Sequence, residues 1–359
     1  MTNESFFADE ILQWYEKNRR FLPWRGTKDP YRIWISEIIL QQTRVAQGYD
    51  YFVRFIERFP DVQALAAASE DEVLRCWQGL GYYSRARNLH CAARQIVASG
   101  GFPMDYEGIR NLKGVGDYTA AAIASFAFGL PHAVVDGNVY RVLSRYFGVD
   151  EAIDTGRGRK CFAELAQALL PDRERVADYN QGLMDFGALQ CVPKSPRCMD
   201  CPLNESCMAF REGRVKDLPV KVNALIVSKR YLHYFWVQVG GEMVLFRRES
   251  KDIWKGLYEP MLVETDTACS PEALFDRQDM PSFLLAKDCV RTLLCAGICH
   301  QLTHRTLICD FHHVVLQEKP TDEMFGRKAC WIHREELSDY AMPRLVTLLL
   351  EKSGILSEK

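Results

Sequence analysis

Glu37 lies where a side chain could act as an acid catalyst. On a helical wheel the segment Asp29–Arg44 is apolar on both sides, so we expect a buried helix with Glu37 among Ile33 and Leu40. Loss of solvent raises the pKa of such a carboxyl group, which can then hold a proton near neutral pH and donate it. The alternative interpretation is an ion pair between Glu37 and Arg44 or another arginine.

A second acid, Asp136, stands just before a segment with helical apolar spacing at Val139, Val142, Leu143 and Tyr146. Its ordinary role would be that of an N-cap. A capping carboxylate is also held ionised by the helix N–H groups and the helix dipole. A protonated Glu37 and an ionised Asp136 would form the divided pair that cleavage of a glycosidic bond requires.

The segment Leu112–Thr119 joins two helical patterns through a glycine-rich turn, Gly114-Val115-Gly116. Such a turn directs backbone N–H groups outward, and the following helix adds its positive N-terminus. The pattern therefore predicts a phosphate-binding hairpin, although many helical junctions contain two glycines.

Four cysteines with the spacing C-x6-C-x2-C-x5-C occur in one proline-containing loop: Cys191, Cys198, Cys201 and Cys207. Thiolates on one short loop can converge on a single metal centre, and the spacing alone fits zinc or a [4Fe–4S] cluster. A second group lies in apolar sequence without turn residues and is interpreted as ordinary buried thiols: Cys289, Cys295, Cys299 and Cys309.

Composition sets limits on the elements that position these residues. The 359 residues are 48% hydrophobic and 26% charged, which is typical of a folded protein, and no apolar run is long enough to cross a membrane. The N-terminal sequence does not resemble a secretory signal, and thirteen cysteines fit a reducing compartment better than a disulfide scaffold. A net charge of −2 gives no global basic surface, so any nucleic-acid site must rest on local motifs.

The predicted secondary structure changes from helical to strand-rich near residue 215. Helical patterns with N-caps and glycine stops precede this point, including helices expected to open at Asp29-Pro30 and to run over Tyr118–Phe128. Strand patterns follow it at 224–227, 231–239, 243–246 and 306–316. We predict an all-α domain over 1–213, a linker over 214–223 and an α/β domain over 224–359.

Together these motifs resemble the MutY family of adenine DNA glycosylases, within the helix-hairpin-helix superfamily that includes endonuclease III. The likeness covers nearly the whole chain. It is carried by Leu22–Arg25, Asp29–Thr43, Gly79–Asn88, Leu112–Thr119, Val135–Asn138, Tyr179–Ala188 and the four-cysteine loop. It implies a helix-hairpin-helix glycosylase domain with a [4Fe–4S] cluster at the cysteine loop, followed by a MutT-like (Nudix-like) domain.

The resemblance implies removal of adenine paired with 8-oxoguanine or guanine, after the nucleotide is extruded from double-stranded DNA. Glu37 would protonate adenine, Asp136 would stabilise the charge on the deoxyribose, and Tyr118 and Asn138 would hydrogen-bond beside them. The residues implied for the extruded base are Trp24, Arg25, Leu40 and Gln181. Gln42 and Tyr82 resemble side chains wedged into the duplex, which offset the loss of base stacking.

Two departures within the superfamily are informative. Endonuclease III has a lysine after the hairpin for strand cleavage, and this position is Tyr118 here, so the enzyme is expected to be a monofunctional glycosylase. The C-terminal region lacks the hydrolase signature of MutT-like domains and should bind without hydrolysing nucleotides. The family's Phe-Ser-His recognition turn appears as Leu302-Thr303-His304, which keeps a hydroxyl and a donor for 8-oxoguanine but loses the ring.

Two alternatives remain at this stage. One is an endonuclease III-like glycosylase and lyase for oxidised pyrimidines, and the other is a non-catalytic iron–sulfur protein that binds DNA as a redox sensor. The main hypothesis also implies a monomeric protein of the bacterial cytoplasm, associated with the nucleoid and not with a membrane.

Overall fold

The computed structural model describes residues 3–223, 227–249 and 252–356. Their contacts divide the chain into two compact units, one formed by Met1–Ala67 and Asn88–Ala224 and the other by Ala68–Arg87 and Leu225–Lys359. The domain limits predicted from the sequence stay a prediction. Within the first unit, part of the predicted linker is hydrogen-bonded, because the Asp154 carboxylate accepts from the backbone N–H groups of Val222 and Asn223.

In the residues that the structure describes, the regular structure before residue 214 is helical, and three further short α-helices occur among the strands and after them. The α-helices are α1 Asn3–Asn18, α2 Pro30–Leu40, α3 Val45–Arg58, α4 Val62–Ala67, α5 Glu70–Cys76, α6 Ser84–Ala98, α7 Tyr106–Arg110, α8 Asp117–Phe128, α9 Gly137–Phe147, α10 Gly156–Ala168, α11 Val176–Leu189, α12 Met208–Arg211, α13 Pro271–Phe275, α14 Asp322–Phe325 and α15 Arg344–Lys352. Short 3-10 helices cover Arg173–Arg175, Ser282–Leu284 and Arg334–Asp339.

The strands belong to the second unit. They are β1 Ser228–Val239, β2 Glu242–Arg247, β3 Tyr258–Glu259, β4 Met261–Thr265, β5 Val290–Gln301, β6 Arg305–Leu316 and β7 Cys330–His333. The sheet has the order β3-β2-β1-β6-β5, with β4 paired to β1 and β7 paired to β2. β1 and β6 are parallel along their whole length, whereas β5 and β6 form an antiparallel hairpin interrupted by a bulge.

The helix starts follow the local sequence. The side chain of Asp29 accepts from the backbone N–H of Tyr31, and Pro30 occupies the first helical position, as predicted. α8 begins one residue earlier than expected, at Asp117, and ends at Gly129, whose φ of 61° suits glycine.

The helix predicted over Asp29–Arg44 is shorter than expected, because α2 ends at Leu40. Gln42 and Arg44 therefore do not belong to it, and Arg44 instead precedes α3. The expected burial of α2 on both sides is confirmed, since Ile33, Ile35 and Glu37 are all buried.

The predicted strands at 231–239, 243–246 and 306–316 are present with small extensions, and residues 224–226 of the first predicted strand lie outside the described part. The prediction that the second cysteine group is buried is wrong for part of it. Cys289 and Cys309 are buried, but Cys295 is half-buried and Cys299 is exposed on β5. In the described part of the chain, none of the helices is long and apolar enough to span a membrane.

Candidate active site

Glu37 lies on α2 and is only 7% exposed. The hydroxyl of Tyr118, on α8, donates a hydrogen bond of 2.8 Å to its Oε2. Tyr118, and not Arg44, is therefore its hydrogen-bond partner in the described structure. Burial raises the pKa of the Glu37 carboxyl; the Tyr118 hydroxyl and the Arg25 charge oppose this shift, and the Asp136 charge adds to it.

Asp136 caps the N-terminus of α9. One carboxylate oxygen accepts from the backbone N–H groups of Asn138 and Val139, each at 2.8 Å. The other accepts from the Asn138 side-chain amide at 2.8 Å, and the oxygen of that amide accepts from Arg141. All of these partners are donors, which suits an ionised carboxylate.

Opposing effects act on the pKa of Asp136. Burial raises the pKa above its ordinary value, although the hydrogen bonds from Val139 and Asn138 and the charge of Arg141 act in the opposite direction. Asp136 is half-buried, and the loss of solvent around its carboxyl group outweighs the helix N–H groups.

The two acids share one electrostatic environment. The charge of Asp136 raises the pKa of both Glu37 and Tyr118, and Tyr118 is hydrogen-bonded to Glu37. Four residues predicted from the sequence to act together, Glu37, Tyr118, Asp136 and Asn138, are thus linked by hydrogen bonds and charge.

A cavity of about 250 Å³ opens at Glu37. Three of the four residues predicted for the extruded base line it: Trp24, Arg25 and Gln181. Leu40 does not line it. Its side chain instead lies against Gly48, where an added Cβ would come within 2.8 Å of the Leu40 methyl group.

Several contributors to this cavity were not predicted. Ser36 and Phe126 form part of its wall. Arg25 donates to the Gln181 side-chain oxygen at 2.5 Å and also pairs with Asp185 at 3.3 Å. Asp185 is 1% exposed and lies in the Tyr179–Ala188 motif, so the motif could have suggested it although no role was given.

A wider cleft of about 1,090 Å³ shares Arg25 and Gln181 with this cavity. It adds three cationic side chains, Arg19, Arg20 and Lys28. Arg19 and Lys28 add positive charge to this cleft, whereas Arg20 is paired with Asp185 at 2.5 Å and Asp178 also lines the cleft.

In the hairpin before α8, Gly114 has a φ of 77°, and a Cβ at this position would lie 2.6 Å from the Cβ of Asn88. The backbone N–H groups of Lys113 and Val115 are bonded within the protein, to Gln95 and Leu112. The backbone N–H groups that are left for a phosphate in the predicted hairpin are therefore those of Gly114, Gly116 and the first turn of α8.

The four cysteines of the loop Cys191–Cys207 line a cavity together with apolar side chains such as Val142 and Phe186. The Arg145 guanidinium donates to the Cys191 sulfur at 3.4 Å, and also to the backbone carbonyls of Val192 and Pro193. Among the described residues no three of these sulfurs lie within 4.8 Å of one another. Ligands of a single zinc ion would lie closer, because Zn–S bonds of about 2.3 Å place sulfurs roughly 4 Å apart.

The predicted wedge residues both have left-handed backbone conformations. Gln42 has a φ of 57° and is exposed, and Tyr82 has a φ of 48° and is 45% exposed. Positive φ values are uncommon outside glycine and often mark functional positions.

The predicted recognition residues Thr303 and His304 are exposed in the turn between β5 and β6. Within the same unit, the hydroxyls of Tyr82 and Thr303 lie 2.5 Å apart.

Comparisons with known proteins cover both units. Residues 35–168 match the HhH-GPD superfamily base excision DNA repair protein, and residues 233–352 match the NUDIX domain. Among solved structures, a thermostable thymine-DNA glycosylase has a TM-score of 0.54 at 33% identity, over 58% of this chain and 97% of that one. A non-covalent endonuclease III–DNA complex has a TM-score of 0.50 at 22% identity, over 59% and 99% of the two chains, which supports the fold alone.

Curated relatives extend the likeness. The adenine DNA glycosylase of Homo sapiens is 41% identical over 223 residues, which are 59% of this chain and 41% of that protein. The adenine DNA glycosylase of Buchnera aphidicola subsp. Baizongia pistaciae is 32% identical over 353 residues, which are 96% of either protein. Because this likeness spans both units and almost the full length of both proteins, the chain belongs to the adenine DNA glycosylase family.

Proposed function

We propose that this enzyme is a monofunctional glycosylase that hydrolyses the N-glycosidic bond of a deoxyadenosine extruded from double-stranded DNA opposite 8-oxoguanine or guanine. The observation that carries the proposal is the hydrogen-bonded pair of Glu37 and Tyr118 at the cavity that Arg25 and Gln181 line, with Asp136 near enough for its charge to raise the pKa of both.

Glu37 is the general acid. Burial raises its pKa, which favours the protonated form that an acid catalyst needs, and the proton passes to N7 of adenine so that the base leaves as a neutral group. The carboxylate that remains then helps to activate the water that attacks C1′.

Asp136 stabilises the sugar. As the glycosidic bond breaks, positive charge develops on the deoxyribose, and an ionised carboxylate beside it lowers the energy of that state. Asn138 and the backbone N–H groups of α9 fix the carboxylate, so little reorganisation is needed during the reaction.

Tyr118 accounts for the absence of strand cleavage in this proposal. A lyase needs an amine that forms a Schiff base, and Tyr118 has a phenol hydrogen-bonded to Glu37. Burial raises the pKa of this phenol well above its ordinary value, so it stays protonated and serves as a donor.

The four cysteines fit a [4Fe–4S] cluster better than a zinc ion, because among the described residues no three of their sulfurs lie as close together as the ligands of one zinc ion would. Such a cluster would hold the loop after α11 in place as a structural cross-link. Arg145 would offset its negative charge from the side of Cys191.

Binding of the duplex is proposed to use the hairpin at Gly114–Gly116 for a phosphate and the exposed side chains of Gln42 and Tyr82 as wedges. Thr303 and His304 are proposed to contact the 8-oxoguanine. The hydrogen bond between Thr303 and Tyr82 would hold the recognition turn beside the wedge.

The test is a single-turnover assay on duplexes with adenine opposite 8-oxoguanine, guanine or thymine, followed by alkali to cut at abasic sites. We expect release of adenine from the first two duplexes, near-complete loss of activity in Glu37→Gln and Asp136→Asn, and no strand cleavage before alkali. Full activity in both variants would exclude the proposed chemistry, and borohydride trapping on an oxidised pyrimidine would instead favour the lyase alternative.

A further inference from the structure

Three side chains with metal-binding atoms meet on one face of the sheet in the second unit. His233 of β1 pairs in register with Asp310 of β6, and His312 follows two residues later on the same face. One ring nitrogen from each histidine and one carboxylate oxygen of Asp310 all lie within 4.8 Å of one another.

The hydrogen bonds around His233 leave an unsatisfied contact. The hydroxyl of Thr265 donates to the carbonyl of Thr267 at 2.8 Å, so it accepts from Nε2 of His233 at 3.2 Å. The neutral ring then has a lone pair on Nδ1, which lies 3.2 Å from Oδ2 of Asp310 without forming a hydrogen bond. Two lone pairs that face each other repel unless a cation lies between them.

A proton is a poor candidate for that cation. Burial lowers the pKa of His233, which disfavours the imidazolium, and the nearby charge of Arg277 acts in the same direction, although Asp310 opposes both. The Arg277 charge is itself shared with Asp279, with which it forms an ion pair of 2.6 Å.

His312 provides an independent observation. It is 3% exposed, and its Nε2 has no hydrogen-bond partner among the described residues. An uncompensated buried polar group costs about 1–3 kcal/mol. The ring is held in place by stacking on Phe235, with centroids 4.9 Å apart and planes at 15°.

Asp310 also has the outer contact that a metal ligand needs. Its Oδ1 accepts from the backbone N–H of Gly297 at 2.8 Å, at the bulge in β5, which leaves Oδ2 for the site. The Thr265 hydroxyl orients His233 in a comparable way. Such outer contacts fix ring tautomers and carboxylate orientation at metal sites.

We propose that His233, Asp310 and His312 bind one divalent transition-metal ion of the zinc type. Two imidazoles and one carboxylate supply three ligands, and the partly exposed side of Asp310 leaves room for water as the fourth. The ion would cross-link β1 and β6 beside Phe275 at the end of α13, whose ring centroid lies 6.0 Å from that of His312. Nothing in the glycosylase chemistry of the first unit depends on it.

The experiment uses the purified full-length protein with its cysteine loop in the native state. The protein is equilibrated with Zn²⁺ against a competing chelator, bound zinc is counted by mass spectrometry, and its ligands are read by X-ray absorption at the zinc edge. We expect one zinc with only nitrogen and oxygen neighbours at about 2.0–2.2 Å, unlike zinc on cysteines with sulfur at about 2.3 Å.

Variants test the ligands. His312→Phe keeps an aromatic ring on Phe235 and should lose the nitrogen- and oxygen-bound zinc, with more than about 100-fold weaker binding, because losing an outer contact alone costs about 10–100-fold. Thr265→Val should show that smaller effect. The control is His313→Gln, the next residue on β6, whose ring is hydrogen-bonded to Gln238 and which should bind zinc like the parent.

Zinc bound only by sulfur, no zinc bound by the parent protein, or equal binding in His312→Phe would each overturn the proposal. If His312→Phe does not fold, Asp310→Asn serves in its place, because that side chain is 21% exposed and its loss should be tolerated. Zinc binding by Asp310→Asn equal to that of the parent protein would also overturn the proposal.

Discussion

Changing Tyr118 to phenylalanine removes the hydroxyl that donates to Oε2 of Glu37 at 2.8 Å and leaves the rest of the ring in place. This hydrogen bond lowers the pKa of Glu37, because it stabilises the ionised form more than the protonated form. Hydrogen bonds to charged groups contribute about 1.5–3 kcal/mol and those to neutral groups about 0.5–1.5 kcal/mol. The difference, about 1–1.5 kcal/mol, corresponds to about one pH unit.

The pKa of Glu37 is therefore expected to rise in Tyr118→Phe. In the proposed mechanism the reaction slows as pH rises through this pKa, because Glu37 loses its proton. The alkaline side of the single-turnover rate profile should move to higher pH by about one unit. The measurement is the rate of adenine release at saturating enzyme, on a duplex with adenine opposite 8-oxoguanine, over the pH range in which the protein stays folded.

Tyr179→Phe is a matched control, since Tyr179 is 1% exposed and its hydroxyl has no hydrogen-bond partner among the described residues. Its profile should equal that of the parent. An unchanged alkaline limb in Tyr118→Phe, or a shift to lower pH, would contradict the idea that the Glu37 proton limits the rate.

Three further outcomes are expected. The pKa of Glu37 is higher in the folded than in the unfolded protein, so the parent protein loses stability as pH rises from the unfolded to the folded pKa. The melting temperature of Glu37→Gln should therefore rise relative to that of the parent over this pH range, and the difference should stay constant at lower pH. Cys198→Ser should lose visible absorbance, bind DNA more weakly and melt at least about 4 °C lower, whereas Cys161→Ser on α10 should not; a variant without absorbance that binds and melts normally would refute the cross-link. Thr303→Val should reduce the preference for 8-oxoguanine over guanine about 3–10-fold. Because the hydroxyls of Tyr82 and Thr303 share one hydrogen bond, adding Tyr82→Phe to Thr303→Val should reduce this preference little further, and equal and additive effects of the two substitutions would disprove the coupling.

Local sequence patterns were sufficient for the parts of the site that depend on a single helix. The apolar spacing around Glu37 predicted its burial, and the position of Asp136 predicted its cap, because both depend on neighbours within a few residues. The end of α2 at Leu40 was not predicted, since apolar spacing continues past the point where the backbone turns.

Contacts between distant segments could not be derived in this way. The hydrogen bond between Tyr118 and Glu37 joins residues 81 positions apart, and only the resemblance to a family suggested it. The Arg25–Asp185 pair joins α11 to the segment before α2, and neither pattern contains a sign of the other. The pKa of Asp136 also depends on how deeply the tertiary fold buries the cap.

The parallel pairing of β1 with β6 has a consequence for biosynthesis. Ser228 is hydrogen-bonded in register with Arg305, so the central strands cannot join until the ribosome has made all of the chain between them. The hydrogen bonds within each helix form earlier, because they join residues about four positions apart. The tertiary partners of the segment Ala68–Arg87 also come late, because Arg75 pairs with Asp339 and the Tyr83 hydroxyl donates to the carbonyl of Met342. A premature stop near the end of the gene would therefore strip partners from a segment translated long before.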